Sequence, residues 1–148
     1  MLSRKVVFMS VAFGVASVLA GISAVTAQDD DESPLHKLMT NVQKNDTTIL
    51  KGVRTAVNFK KGQADVVKAA EELTKLGKEA KKFTEPAKQL KKEQKDWEDK
   101  CDAFVKELEK FSTTLADKGT DQPKAKAAYR DVKQKCTECH EVYKPDEP

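Results

Sequence analysis

The chain has 148 residues, with 27 Lys and Arg against 24 Asp and Glu. That balance lacks the strongly basic footprint by which proteins hold nucleic acid, so no nucleic-acid partner is expected. With two histidines and no convincing carboxylate pair there is no Ser-His-Asp set, and the chain does not read as an enzyme. Three cysteines cannot form a paired disulfide framework.

Residues 1–27 have the layout of a secretory signal peptide. Arg4 and Lys5 are basic, Val6 to Ala20 is apolar apart from Ser10, Gly14 and Ser17, and Val25-Thr26-Ala27 gives small residues at a cleavage position. The rival reading is an uncleaved anchor, because Val6 to Ala27 carries no charge. A membrane association is expected only in that case. Either way the rest of the chain is exported, to the periplasm. Cleavage leaves 25 basic side chains against 24 acidic ones.

Residues 28–33 read as an acidic, flexible leader and residues 34–144 as one helical domain. Ser33-Pro34 is an N-cap followed by Pro at the first helical position. Helix one is expected from there to about Lys60, with Leu35, Leu38, Met39, Val42, Ile49, Val53, Ala56 and Val57 at spacings of three and four. Gly62 is expected to end it. Asp65 then caps helix two, which buries Val66, Ala69, Ala70, Leu73, Leu76, Ala80 and Phe83, with Gly77 as a weak point. Thr84-Glu85-Pro86 makes a break.

Helix three is expected from near Pro86 to about Ala116, with an N-terminal end that is looser as far as about Gln94. Leu90, Gln94, Trp97, Cys101, Phe104, Leu108, Phe111 and Leu115 form its core stripe. After the connection Lys118–Gln122, Pro123 opens helix four. Ala125, Ala128, Tyr129, Val132, Cys136 and Cys139 share one of its faces. Pro145 ends it, leaving a polar tail, residues 145–148. Short connections between four long helices predict an all-α, antiparallel up-down-up-down four-helix bundle.

The run Cys136-Thr137-Glu138-Cys139-His140 carries the chemistry. It is a CxxCH sequence, the attachment pattern of c-type haem. Two thiols three residues apart lie on one helix face and can each form a thioether with one vinyl group of the same porphyrin. His140 can then offer an imidazole nitrogen to the iron. One covalently attached haem c is therefore expected, near the C-terminal helix. Bacterial haem attachment takes place outside the cytoplasmic membrane, so the leader and the motif support each other. The alternative is a haem-free helical protein with a CxxC metal or redox site. A zinc site would want a second ligand pair, and only Cys101 and His36 remain. A thioredoxin-like site would want a βαβ pattern, and no strand run is visible.

Cys101 falls on the helix-three stripe and reads as a buried structural thiol rather than a reactive or bridging one. Trp97 reads as core near the haem edge, and Tyr129 and Phe104 as residues that pack on the porphyrin. The lysines from Lys78 to Lys100 read as a solvated face beside Glu79, Glu93 and Glu98, with docking of an acidic redox partner as the functional alternative.

The chain resembles the class II c-type cytochromes, the cytochrome c′ and cytochrome c-556 family. The CxxCH lies near the C-terminus of a four-helix chain. Ala128-Tyr129-Arg130-Asp131-Val132 before it and Val142-Tyr143-Lys144 after it are similar to that family's last helix. Lys37-Leu38-Met39 is similar to its early Leu-Met pair, and Lys61-Gly62-Gln63 with Asp65 to its joint between the first two helices. The likeness covers residues 34–144.

The resemblance implies that helix one lies across the haem from His140 and supplies the sixth iron ligand. Met39 is the position for it, and His36, one turn earlier, is the alternative. With that position filled, the implied function is one-electron transfer between redox partner proteins. With it open, the implied function is a five-coordinate cytochrome c′-type binder of nitric oxide or carbon monoxide. Lys144 is then the implied partner of a haem propionate. A homodimer through the first two helices is a further implication, since cytochrome c′ members often pair this way.

Overall fold

The computed structural model describes residues 33–144. The signal-peptide, leader and tail expectations for 1–27, 28–32 and 145–148 lie outside the described residues. The described chain is all-helical: α1 Pro34–Gly52, α2 Ala56–Ala80, a single-turn α3 Glu85–Gln89, α4 Gln94–Ala116 and α5 Gln122–Tyr143. The long helices pack in chain order, α1 on α2, α2 on α4 and α4 on α5. This packing is compatible with the expected four-helix bundle, to which α3 adds one turn.

The first helix opens where Ser33-Pro34 predicts, with Ser33 Oγ accepting from the His36 amide at 3.2 Å. It ends at Gly52, eight residues before the expected Lys60, and Gly62 lies inside α2. The reason is a pair of side-chain caps. Thr55 Oγ1 accepts from the Asn58 amide at 3.1 Å and starts α2, while Asn58 Nδ2 donates to the Lys51 carbonyl at 3.1 Å and closes α1. Both bonds satisfy backbone groups that a helix end leaves open. Gly52 also marks the crossing of α1 and α2: a Cβ there would stand 2.2 Å from Val66 Cγ2. At Gly62 a Cβ would meet nothing within 4 Å. The expected joint at Gly62 and Asp65, which the resemblance had favoured, is thus replaced by one at residues 53–55.

The expected third helix is divided. The chain makes α3, turns at Leu90 to Glu93 and restarts at Gln94, within the looser end allowed above. Lys91 takes a left-handed φ of 53°, and Lys92 N–H donates back to the Ala87 carbonyl at 2.8 Å, a helix-ending bond. Leu90 therefore leaves the stripe and is exposed. Phe83, assigned to helix two, lies beyond Ala80 and packs only partly on the core.

Of the remaining stripe residues, Trp97, Cys101, Leu108, Phe111 and Leu115 are buried, joined by Val105, while Gln94 and Phe104 are half-buried. Facing them are Val66, Ala69, Ala70, Leu73, Leu76 and Ala80 of α2 and Ala125, Tyr129 and Val132 of α5. Gly77 lies inside α2 without interrupting it. It lets α4 approach, since a Cβ there would lie 2.8 Å from Val105 Cγ2 and 3.1 Å from Phe104 Cδ1.

Candidate functional site

The last two turns of α5 carry the CxxCH run. Asp121 Oδ1 caps this helix from the Lys124 amide at 3.0 Å, and Pro123 occupies the first turn. Cys136 and Cys139 are half-buried, and Cys139 packs against the core. Both are free thiols, as is the buried Cys101. Burial pushes Cys136 up to about 11, and it raises Cys139 as well. Cys101 is pushed up to about 12 by burial, reinforced by the nearby Cys139. The three sulfurs thus belong to one apolar end of the molecule.

His140, like Thr137, is exposed, unlike the two half-buried thiols. Partial burial, with Lys144 and Lys133 nearby, holds its pKa below the ordinary imidazole value. A neutral ring keeps a nitrogen lone pair available as a ligand. Among the described residues no group of three or more His, Cys, Asp and Glu side chains forms a metal cluster. The donor set is two adjacent thiols and one imidazole, which suits thioether attachment of a haem.

The C-terminal turn is pinned to α4. Tyr143 donates to Asp96 Oδ2 at 2.7 Å, and its ring stands edge-on to Trp97 with centroids 4.9 Å apart. Trp97 is buried, and its Nε1 donates to the Ala80 carbonyl at 2.9 Å. One side chain thus joins the end of α2 to the start of α4 and the end of α5. Phe104, a candidate for porphyrin packing, lies half-buried over Gly77 at the α2–α4 contact. Tyr129, the other candidate, is buried with its ring centroid 5.2 Å from Phe111, and its hydroxyl donates to Asp46 of α1.

Between α1 and α5 the structure gives a register. Gln122 Nε2 donates to the Val53 carbonyl at 2.7 Å. Seven residues along each helix, Tyr129 and Lys133 meet Asp46, with Lys133 Nζ at 2.9 and 3.1 Å from the two carboxylate oxygens. The helices therefore run antiparallel. Another seven residues bring Asp46 to Met39, Tyr129 to Cys136 and Lys133 to His140. A heptad is about 10.5 Å of helix and returns to within about 20° of the same direction. On straight helices this count carries Met39 toward the CxxCH run, and Met39 is half-buried against the core. His36 sits in the first turn, exposed, and about 80° around the helix from Asp46 at 100° per residue. The Asp46 contact had no signal in the sequence beyond a tyrosine and a lysine one turn apart.

The lysines from Lys78 to Lys100 that form ion pairs do so with α4, Lys78 and Lys81 across the α2–α4 contact and Lys95 within α4 itself. Lys78 pairs with Glu109 at 3.1 Å, Lys81 with Asp102 at 2.5 Å and Lys95 with Asp99 at 2.8 Å. No described helix is long and apolar enough to cross a membrane.

A helical chain that ends in a CxxCH helix with a thioether side chain on the facing helix has the makings of a c-type cytochrome. Comparison with known proteins agrees: cytochrome c-555 of Bradyrhizobium diazoefficiens is 30% identical over 139 residues, covering 88% of this chain and 93% of its own length. The chain belongs to the c-type cytochromes. No family model matches it, and no solved structure does.

Proposed function

We propose that this chain is an exported, periplasmic one-electron carrier of the class II type. In this reading Cys136 and Cys139 would hold a single haem c by thioethers, and His140 and Met39 would be the residues that ligate its iron. What supports the reading is the antiparallel pairing of α1 with α5, in which Met39 and Cys136 each lie seven residues beyond the Asp46–Tyr129 contact. Haem c, when bound, supplies a one-electron iron couple whose potential a Met ligand raises relative to a His ligand.

The chain's own residues do the rest. The two thiols fix the cofactor to the last turns of α5. The depressed pKa of His140 keeps its imidazole neutral and ready to ligate. Trp97 and Cys101 of α4 are buried in the core, and Tyr143 of α5 packs partly against it, so they offer an apolar wall beside the site. Tyr143 and Asp96 hold the ligand-bearing turn to α4.

The α2–α3–α4 connection, beside Trp97, carries Lys82, Lys88, Lys91 and Lys92, all exposed and without an ion pair among the described residues. These charges suit an acidic redox partner protein, so association is expected to weaken as ionic strength rises.

The test is an absorption spectrum of the mature protein, oxidised and dithionite-reduced, before and after carbon monoxide. Covalent haem with sharp low-spin bands indifferent to carbon monoxide is expected, and Met39→Ala should abolish that indifference while His36→Ala should not. Absence of covalent haem would overturn the reading. A high-spin spectrum that responds to carbon monoxide would move the function to gas binding.

A further inference from the structure

The seam between α1 and α5 is built differently from the other long-helix contacts. The α2–α4 contact is apolar at its centre, with the Lys78–Glu109 and Lys81–Asp102 ion pairs at its exposed rim, whereas midway along α1 and α5 the side-chain hydrogen bonds converge on one carboxylate. Asp46 accepts from the Tyr129 hydroxyl at Oδ1 and from the Lys133 ammonium at both carboxylate oxygens. Its side chain is only 16% exposed. Tyr129 cannot follow α1 if α1 moves, because its ring is packed against Phe111 of α4. Separating the helices would strand a phenol, a carboxylate and an ammonium at a half-buried seam, so the contact strongly favours one spacing.

On α1, Asp46 lies two turns from Met39; on α5, Tyr129 lies two turns from Cys136, and Lys133 lies one turn from Cys136 and two from His140. We infer that Asp46, Tyr129 and Lys133 form a latch that sets the separation of α1 and α5 and thereby determines whether Met39 reaches the iron. The three are positioning residues, and the inference rests on the reading of Met39 as ligand. Opening the latch shifts the protein from a closed, six-coordinate form to an open form in which the sixth position admits a small ligand. Latch variants would thus turn an electron carrier toward gas binding without changing a ligand.

The test uses the full chain, exported and haem-loaded in a host with cytochrome c maturation machinery. Asp46→Ala, Lys133→Met and Tyr129→Phe are compared with the parent and with Gly77→Ala, which disturbs the α2–α4 contact instead. The readouts are spin state and the fraction of protein that binds carbon monoxide, neither of which a general loss of stability moves. Loss of a charged hydrogen bond predicts roughly a tenfold or larger rise in the carbon-monoxide-binding fraction for Asp46→Ala, and a smaller rise for Lys133→Met and Tyr129→Phe. Gly77→Ala should match the parent. Lys133→Met keeps the test decisive if Asp46→Ala fails to fold.

A low-spin parent whose latch variants stay low-spin and indifferent to carbon monoxide would overturn the inference while leaving Met39 as ligand. An equal effect of Gly77→Ala would also overturn it. A parent that is already high-spin, or unaffected by Met39→Ala, would overturn the Met39 reading and the latch with it.

Discussion

Individual side chains near the site are set by burial more than by charge. Cys101 is 6% exposed, and desolvation disfavours its thiolate, pushing its pKa up to about 12. The sign is direct: raising the pKa lowers the thiolate fraction at every pH below it. In haem-loaded protein, where the other two thiols are consumed, alkylation of Cys101 should stay negligible at about pH 9, where an exposed cysteine is mostly ionised. Denaturant should reveal one reactive thiol, measured by mass shift; modification of native protein at that pH would show that Cys101 is accessible. Tyr143 makes the opposite point, because its hydroxyl matters through a bond. Tyr143→Phe keeps the ring on Trp97 and deletes the donation to Asp96. It should cost about 1 kcal/mol in chemical denaturation and speed amide exchange from Val142 to Lys144. The burial of Cys101 and Trp97 was legible from the helix-three stripe. The Tyr143–Asp96 bond was not, since nothing in the sequence says which polar neighbour a hydroxyl will find across a helix contact.

Helix ends are where the sequence misled, and the two glycines explain how. Gly62 looked like a terminator because glycine commonly follows a helix, yet it sits half-exposed inside α2 with open space around it. The true joint is written in Thr55 and Asn58, whose side chains cap both helices, a weaker pattern than a glycine flanked by lysines. Gly62→Ala should therefore stabilise the protein by roughly 0.5–1 kcal/mol through helix propensity, read as a higher denaturation midpoint. Gly77→Ala gains the same propensity but drives a methyl against Val105, a stiff β-branched side chain, and should destabilise by roughly 1–3 kcal/mol. If both changes stabilised, the close α2–α4 approach at Gly77 would be wrong. The left-handed Lys91 is a third test at this scale. Lys91→Gly should gain about 1 kcal/mol, because glycine adopts that φ without the side-chain penalty.

At the scale of the molecule, the α-helical class and the buried centre of each stripe followed from periodicity, whereas Val57 and Leu90, assigned to stripes near the misplaced helix ends, are exposed. The split of α3 from α4 and the pairing of Asp46 with Tyr129 and Lys133 depend on tertiary register, which periodicity does not encode. The latch also bears on kinetics. Its bonds join residues 83 and 87 positions apart, and the Gln122–Val53 bond spans 69, whereas α1–α2, α2–α4 and α4–α5 are contacts between neighbours in the chain. Helical hairpins of low contact order form early, and a seam that must close the whole chain into a loop comes late. Asp46→Ala should then accelerate unfolding while leaving the refolding rate nearly unchanged, a φ-value near zero. The seam between α1 and α5 would be the last to shut as the protein folds and the first to part as it unfolds.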